Sequence, residues 1–385
     1  MRFFDYIDQD RIVFEAAAAE AVIAEVERRR ATRVFVVSTR SLTKSAQVQD
    51  IISMLGAVCV GHSDLIEAHV PLPLVAKLAQ IIGSARPDLV VVIGGGSAID
   101  SVKIATLALT HGLSSEGELL RHTAAQIGSS DKLPPYRTIA IPTTLSGAEF
   151  GVIGGGVDPE SGIKHMFRAP YFCAATVIYD PHLATLTPPW LWLSTGMRAV
   201  DHAVEGFLSP DANPFSDGTA LHGLRQLALG LPNSKLNPED WRARSEGQMG
   251  VWLAAAGLGR VRYGASHGIG HQLGALAGVP HGYTSCVLLP AVLAYNFAVV
   301  GNRYTEISSA LGGAGESAVA VVAEFVARLD LPRNLHDLKV ERSLLPKIAQ
   351  SSLANPFVQA NPRTIATAEE AMQILEMAWD GKYEA

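Results

Sequence analysis

Four histidines and one arginine have side chains suited to ion binding and proton transfer. His267 and His271 are four residues apart, so a helix would place them on one face, and Arg198 and His202 have the same spacing. His281 falls in a predicted loop close after the first pair. Imidazole binds zinc, iron and nickel, and its pKa lies nearest neutral pH. The group therefore predicts a metal site or acid–base chemistry, with ordinary polar residues lining a cleft as the alternative.

A glycine turn follows the strongest apolar run of the chain, Leu89–Ile93. Glycine permits positive φ and close approach of the backbone to an anion, and a helix start offers free N–H groups. The spacing matches neither GxGxxG nor GxxxxGK[ST]. A tight turn without a ligand is the alternative to a phosphate seat. The predicted seat consists of Gly94, Gly95, Gly96, Ser97 and Asp100.

The elements that must position these residues differ between the two halves of the chain. Short apolar runs at 34–37, 57–60, 89–93 and 138–142 alternate with helical patterns, which predicts a parallel sheet covered on both faces. Beyond residue 187, six long helical patterns dominate, at 196–207, 216–229, 245–258, 267–276, 283–299 and 317–329. We predict an N-terminal α/β dinucleotide-binding domain of residues 1–182 and an all-α domain of residues 183–385, with the active site in the cleft between them.

Composition places this chain among soluble enzymes. The 385 residues are 48% hydrophobic and 18% charged, and a net charge of −6 argues against nucleic acid as a partner. Three widely spaced cysteines suggest neither a disulfide framework nor a thiolate zinc site. We find no signal peptide pattern and no run of the ~20 apolar residues that crosses a bilayer. A soluble cytoplasmic protein without a membrane partner is therefore expected.

Five motifs, taken together, resemble the iron-containing (group III) alcohol dehydrogenase superfamily, which includes the maleylacetate reductases. The match runs from about Phe35 to Asn296, and five motifs in the same order are more specific than any single one. The motifs are Gly94-Gly95-Gly96-Ser97-x-x-Asp100-x-x-Lys103, Pro142-Thr143-Thr144, Gly196-Met197-x-x-x-x-His202-Ala203-x-Glu205, His267-x-x-x-His271 and Pro280-His281-Gly282.

The resemblance implies a Rossmann-like domain, a helical domain and hydride transfer from a nicotinamide cofactor. In that family an Asp and three His hold the metal, and the histidine positions carry over to His202, His267 and His281. His271 corresponds to a histidine near the nicotinamide and the substrate. The cofactor contacts expected in this chain are Thr39, Gly94, Gly95, Gly96, Ser97, Asp100, Thr143, Thr144, Ser146 and Lys164.

The chain departs from the family pattern at the metal-binding carboxylate, where it has Arg198. A guanidinium beside a divalent cation adds repulsion. Asp201 lies about 100° around a helix from His202, so we expect it to point elsewhere. The sequence therefore favours a site without metal. The loop Pro142–Glu149, one residue shorter than the usual alcohol dehydrogenase loop, is also similar in length to the maleylacetate reductase version.

Without a metal, Arg198 is predicted to bind a substrate carboxylate through its planar fork. His202, His267, His271 and His281 would then stabilise the developing alkoxide and deliver its proton. The alternative is a structural Arg198, paired with Glu205 or Asp201 and never facing substrate.

The predicted function is an NAD(P)H-dependent oxidoreductase that transfers hydride to the carbonyl of a small, maleylacetate-like oxo-acid. Thr39 stands where NAD-preferring relatives often have Asp, and the absence of an acid that would repel a 2′-phosphate allows NADPH as well as NADH. We expect a small-molecule substrate and a homo-oligomer. The alternatives are a metal-dependent alcohol dehydrogenase, using iron or zinc, and a nucleotide-binding protein that has lost its catalytic activity.

Overall fold

The chain folds into two compact units. The computed structural model describes residues 4–6, 8–130 and 132–383. Unit 1 is Met1–Thr187 and unit 2 is Pro188–Ala385. The boundary expected from the sequence lay after residue 182.

The described residues of unit 1 form eight strands, six of which make up one sheet. The strands are β1 (Arg11–Phe14), β2 (Val34–Ser38), β3 (Cys59–Ser63), β4 (Leu89–Gly94), β5 (Arg137–Pro142), β6 (Ile153–Val157), β7 (Lys164–Arg168) and β8 (Thr176–Tyr179). The sheet order is β1-β8-β5-β4-β2-β3 and every pairing in it is parallel, whereas β6 and β7 form a separate antiparallel hairpin. Ser38 pairs with Ile93, and Gly94 with Pro142. The carboxyl ends of β2, β4 and β5 therefore lie side by side.

Helices cover both faces of the sheet in unit 1. Leu89, Val91 and Ile93 of β4 pack against α1 and α3 in one core cluster. The alternate residues Val90 and Val92 are equally buried, and α5 packs on the same strand. A strand buried on both faces has an uninterrupted apolar sequence, which is why this run is so clear. The helices are α1 (Ala18–Arg29), α2 (Arg40–Thr43), α3 (Ala46–Leu55), α4 (Leu72–Ala85), α5 (Gly96–His111), α6 (Glu116–Leu120), α7 (Ala124–Ile127) and α8 (Pro181–Ala184).

Unit 2 is helical, with α9 packed against four of its neighbours, α10 to α13. Apart from a single bridge between Leu258 and Val261, its described residues form no strand pairing. The helices are α9 (Pro189–Phe207), α10 (Pro214–Leu236), α11 (Trp241–Ala254), α12 (Ala265–Ala277), α13 (His281–Ala310), α14 (Ala318–Arg328), α15 (Leu345–Ser352), α16 (Pro356–Gln359) and α17 (Ala368–Asp380). The predicted fold class, a parallel α/β domain followed by an all-α domain, is confirmed.

Two local predictions need correction. The strand expected at 57–60 is shifted: Gly56–Val58 form a short 3-10 turn, and β3 begins only at Cys59. His281 was expected in a loop but is the first residue of α13. Pro280 precedes it as the N-cap, so α13 begins two residues before the helical pattern predicted at 283–299.

Helix α13 is long and apolar enough to cross a membrane, with a mean hydropathy of 1.7 over its most apolar window. The expectation that no apolar run reaches this length was therefore wrong. However, 72% of that window is buried inside the protein, which is the environment of a core helix. The helix carries Ser285 and Cys286, both fully buried within unit 2.

We predict that unit 2 depends on the close approach of α10 to α11 at Gly230. A Cβ atom there would lie 2.6 Å from the backbone N of Gly247 and 2.9 Å from the O of Ala243, so Gly230→Ala forces two helix backbones apart. We expect a loss of about 1–3 kcal/mol in the free energy of unfolding, measured by urea denaturation.

Gly218→Ala is the matched control, because the same helix has open space at that position. Alanine there should raise the free energy of unfolding by about 0.5–1 kcal/mol through helix propensity. Equal stability of the two variants would contradict the predicted packing.

Candidate active site

The glycine turn in unit 1 forms the start of a helix at the carboxyl edge of the sheet. Gly94 has a φ of +148°, a conformation that favours glycine, and ends β4. Gly95 is the N-cap of α5, and no side chain caps this helix by hydrogen bonding. Ser97 is the second helical residue and is half-buried. The N–H groups and dipole of the α5 N-terminus are therefore oriented to bind an anion.

Each of the three glycines faces one side chain that the sequence predicted to contact the cofactor. An ideal Cβ atom on each would lie close to that side chain, so a larger residue would displace it. The pairs are Gly94 with Thr39 Cγ2 at 2.9 Å, Gly95 with Thr144 Cγ2 at 2.9 Å, and Gly96 with Ser146 Oγ at 3.1 Å. The structure thus brings the ends of β2, β4 and β5 together around one seat.

The loop after β5 is anchored to the glycine turn by its backbone. Thr143 N–H donates to the carbonyl of Gly94 at 3.1 Å, and the Thr143 carbonyl accepts from the Thr187 hydroxyl at 2.6 Å. The Thr144 and Ser146 hydroxyls lie 3.5 Å apart. This arrangement positions two hydroxyl groups beside the N-terminus of α5.

Asp100 and Lys164 lie at the hairpin of β6 and β7. Asp100 Oδ2 accepts the backbone N–H of Gly155 at 3.1 Å. Lys164 is the first residue of β7. Its Cε atom packs against Gly155 and occupies the space that a Cβ atom on Gly155 would need. Lys103, which the sequence analysis quoted only within a motif, is buried and donates to the carbonyls of Ala148 and Ile153. The role of Asp100 and Lys164 in cofactor binding remains a prediction.

The four predicted histidines of unit 2 form a chain of aromatic rings. The ring centroids of His202 and His267 are 4.9 Å apart, and those of His271 and His281 are 6.1 Å apart. Phe357 bridges the two pairs, at 6.4 Å from His267 and 5.6 Å from His271. His202 and His267 are buried, whereas His271 is half-buried and His281 exposed. The structure therefore brings together the histidines that the sequence grouped by spacing.

Arg198 lies beside Asp201 in the interior of unit 2. Its Nη1 atom is 3.5 Å from Asp201 Oδ2 and donates to the Ser285 hydroxyl at 3.2 Å. Asp201 Oδ2 also accepts from the hydroxyls of Ser266 at 2.8 Å and Ser285 at 2.6 Å. The Arg198 side chain is 12% exposed and that of Asp201 is fully buried. The structure supports the ion pair that was named as the alternative for Arg198.

Asp201, which was expected to point elsewhere than His202, lies close to another histidine of the cluster. Its Oδ2 atom lies 3.6 Å from His267 Nδ1. Helices α12 and α13 pack over the same face of α9 and bring Ser266, His267 and Ser285 to this carboxylate. An argument from one isolated helix cannot include these neighbours.

Glu205, named from the sequence only within a motif and as a possible partner of Arg198, is a residue of the site. Its Oε2 atom accepts from His267 Nδ1 at 2.7 Å and from the backbone N–H of Gly264 at 2.9 Å. Its Oε1 atom accepts from the N–H of Ser266 at 2.7 Å. Residues 198, 201 and 205 have the i, i+3, i+7 spacing of one helix face. That spacing is visible in the sequence and indicates that Asp201 and Glu205 lie on the same helix face as Arg198.

Burial dominates the pKa values in this cluster. It lowers the pKa of His202 and of His267 well below the usual value, and the charge of Arg198 adds to both effects. Burial raises the pKa of Asp201 to about 6, against the lowering effect of Arg198 and two hydroxyl donors. It raises the pKa of Glu205 to about 8, with Asp201 adding, while three backbone N–H groups act in the opposite direction. Both buried imidazoles are therefore neutral at pH 7.

The described residues offer a divalent metal only part of a coordination set. His202 Nδ1 and His267 Nε2 are buried and form no hydrogen bond there, so both suit a metal. Ligand atoms of Asp201, Glu205 and His267 lie within 4.8 Å of one another. However, Asp201 Oδ2, both Glu205 oxygens and His267 Nδ1 are already hydrogen-bonded.

Arg198 also adds a positive charge where the resemblance expects a carboxylate. These residues do not fit a tightly held divalent cation. Because the Asp201–Glu205–His267 group still offers ligand atoms, the predicted lack of a metal is not confirmed and remains a prediction.

Comparison with known proteins gives this geometry a context. The family model described as "Iron-containing alcohol dehydrogenase" matches residues 9–181, and "Fe-containing alcohol dehydrogenase family, C-terminal" matches residues 192–379. The chain is 33% identical to maleylacetate reductase 2 of Cupriavidus pinatubonensis over 376 residues, covering 97% of this chain and 96% of the relative. It is 32% identical to the maleylacetate reductase of Burkholderia cepacia, covering 96% of each.

The fold agrees with a solved structure of the same kind. The crystal structure of maleylacetate reductase from Agrobacterium tumefaciens superposes with a TM-score of 0.85 at 29% identity, covering 100% of this chain and 99% of that chain. Two family models that together span most of the chain, and relatives aligned almost end to end, lead to one conclusion. The chain belongs to the iron-containing alcohol dehydrogenase family and is an NAD(P)-dependent oxidoreductase of its maleylacetate reductase-like branch.

Proposed function

We propose that this protein reduces a small oxo-acid of the maleylacetate type with NADH or NADPH, without a catalytic metal. The observation that carries this proposal is the buried guanidinium of Arg198 beside neutral imidazoles, in a chain whose relatives are maleylacetate reductases. A cation in such a site favours a substrate that carries negative charge over a neutral alcohol. We further propose a cytoplasmic enzyme that acts as a homo-oligomer.

The cofactor supplies the hydride and the protein supplies orientation and charge. The α5 N-terminus with Thr144 and Ser146 is suited to the pyrophosphate. Thr39 at the end of β2 carries no charge that would repel a 2′-phosphate, so we propose that both nicotinamide cofactors are accepted. Asp100 and Lys164 complete the proposed cofactor contacts through the β6–β7 hairpin.

The substrate oxygen must gain negative charge as hydride arrives. This holds whether hydride reaches the carbonyl carbon or a C=C bond conjugated with it, since either route places the charge on the same oxygen. Arg198 is proposed to bind a carboxylate of the substrate, with Asp201 and Ser285 holding the guanidinium in place. His202 and His267 are neutral, so proton delivery falls to His271 or His281, which contact solvent.

A metal-dependent alcohol dehydrogenase is the second candidate function. The observation that favours it is the pair of buried imidazole nitrogens, His202 Nδ1 and His267 Nε2, that form no hydrogen bond in the described part of the chain. In that function His202, His267 and His281 would hold iron or zinc. The fourth ligand that the family uses, a carboxylate, is replaced in this chain by Arg198.

The proposed function predicts that purified enzyme oxidises NADH or NADPH with maleylacetate-like oxo-acids. Arg198→Lys keeps the charge opposite Asp201 but loses the planar fork. We expect kcat/KM for the oxo-acid to fall by about 30-fold to several thousand-fold, corresponding to about 2–5 kcal/mol. The loss for a matched aldehyde without a carboxylate should be far smaller.

Arg262→Lys is the control, because that arginine pairs with Asp211 at an exposed position. An unchanged ratio between acid and aldehyde in Arg198→Lys would assign Arg198 a purely structural role. If wild-type enzyme oxidised neither cofactor with any carbonyl compound, the reductase proposal itself would fail.

We predict that Gly96→Val weakens NADH and NADPH binding at least tenfold, or about 1.4 kcal/mol. The new side chain would crowd Ser146 and place methyl groups over the first turn of α5. Cofactor fluorescence titration measures the change. Gly117→Ala, where the nearest atom to a new Cβ is 3.9 Å away, should bind as the wild type does. Unchanged affinity in a folded Gly96→Val protein would place the phosphate seat elsewhere.

We predict that the purified protein contains less than one equivalent of divalent metal and that a chelator leaves its activity intact. Arg198→Asp combined with Asp201→Asn should raise the metal content, since it supplies the missing carboxylate without leaving two acids in one buried space. Elemental analysis measures both proteins. A full equivalent of iron or zinc in the wild type, with activity lost on its removal, would favour the second candidate.

A further inference from the structure

The carboxyl group of Glu205, on helix α9, caps the N-terminus of a different helix, α12. It projects from α9, is 5% exposed, and accepts the backbone N–H groups of Gly264, Ser266 and His267 at 2.9, 2.7 and 3.3 Å. Gly264 is the N-cap of α12 and has no side chain to do this. Three otherwise unsatisfied donors and the positive end of the α12 dipole therefore converge on this carboxyl group, and they oppose the effect of burial on its pKa.

The same carboxylate determines which nitrogen of His267 carries the proton. Oε2 lies 2.7 Å from Nδ1 of the ring. The ionised form of Glu205 fixes the direction of this hydrogen bond, because an ionised carboxylate can only accept. The ring nitrogen must then donate. His267 Nε2, on the opposite side of the ring, is buried and forms no hydrogen bond in the described residues.

We propose that Glu205 is a positioning residue that holds His267 as the Nδ1–H tautomer, so that its Nε2 lone pair is the atom presented to the reaction. This inference rests on the proposed function, because it concerns a histidine of the same site. It gives the buried histidine a defined role: His267 accepts a hydrogen bond through Nε2 and donates no proton from that nitrogen. The donor to the developing oxyanion must therefore be another group.

The chain provides a matched control for the structural part of the Glu205 contacts. Asn361 Oδ1 accepts the N–H of Ala265, the residue between the N–H groups that Glu205 binds. Asn361 thus also caps the N-terminus of α12, but none of its described hydrogen bonds involves the His267 ring. Asn361→Ala removes a cap from α12 while leaving the Glu205–His267 pair in place.

The test uses ¹⁵N-histidine-labelled full-length enzyme. In the wild type we expect one imidazole with a protonated Nδ1 and a bare Nε2, and its signal should disappear in His267→Gln. Glu205→Gln should convert this ring wholly or partly to the other tautomer. It should lower kcat by about 10- to 100-fold with little change in the KM for NADPH. Asn361→Ala should lose stability but keep the tautomer and kcat.

Two results would overturn the inference: a wild-type His267 protonated on Nε2, or a folded Glu205→Gln protein with an unchanged tautomer and kcat. The wild-type spectrum decides the question even if Glu205→Gln does not fold. The spectrum requires no substrate, so it tests the tautomer independently of the proposed function. If the protein showed the expected tautomer but did not reduce oxo-acids, the proposed function would fail and the tautomer assignment would stand.

Discussion

A buried positive charge must have a negative partner, and the Arg198–Asp201 pair meets this requirement in unit 2. The two groups lie 3.5 Å apart, and the hydroxyls of Ser266 and Ser285 donate to the same carboxylate oxygen. Removing one partner of such a pair leaves an uncompensated charge and costs about 3–5 kcal/mol. Helices α9, α12 and α13 all supply groups to this pair, so their packing and the chemistry of the site are coupled.

This pair also determines what chemistry the histidines can perform. Arg198 adds positive charge beside His202 and His267, which lowers the pKa of both rings further than burial alone. The rings therefore remain neutral, and the nitrogens that form no hydrogen bond in the described residues can accept a hydrogen bond but are not expected to be protonated. In the proposed function, the guanidinium of Arg198 takes over the electrostatic role that a metal cation would have in this position. The substrate charge that suits it is that of an oxo-acid.

The sequence predicted those features that depend on short-range pattern. Strand β4 has an uninterrupted apolar sequence and the glycine turn follows it directly, so the turn proposed to bind phosphate could be located from residue order. Strand β1 has only four residues, and β6 contains three consecutive glycines, so neither gives a clear strand pattern and both were missed. Strand β1 pairs with β8, which lies far away in the chain, whereas β6 pairs with the neighbouring β7 in a hairpin.

In the candidate site, the histidines were found because spacing on one helix is visible in sequence. The contacts of Asp201 could not be predicted, because they involve Ser266 and Ser285, which come from two other helices. The contact between Glu205 and the start of α12 likewise crosses between elements, and only the spacing of 198, 201 and 205 indicated it. Tertiary contacts of buried charges are therefore the part that residue order alone could not supply.

The central claim is that Arg198 supplies the positive charge of this site in place of a metal. A crystal structure of the enzyme with oxidised nicotinamide cofactor and a non-reactive dicarboxylate, grown with Zn²⁺ present, tests it most directly. The account predicts carboxylate oxygens about 2.8 Å from the Arg198 guanidinium nitrogens and no ion bound to His202 or His267. A metal ion coordinated by His202, His267 and His281, with the dicarboxylate away from Arg198, would contradict it.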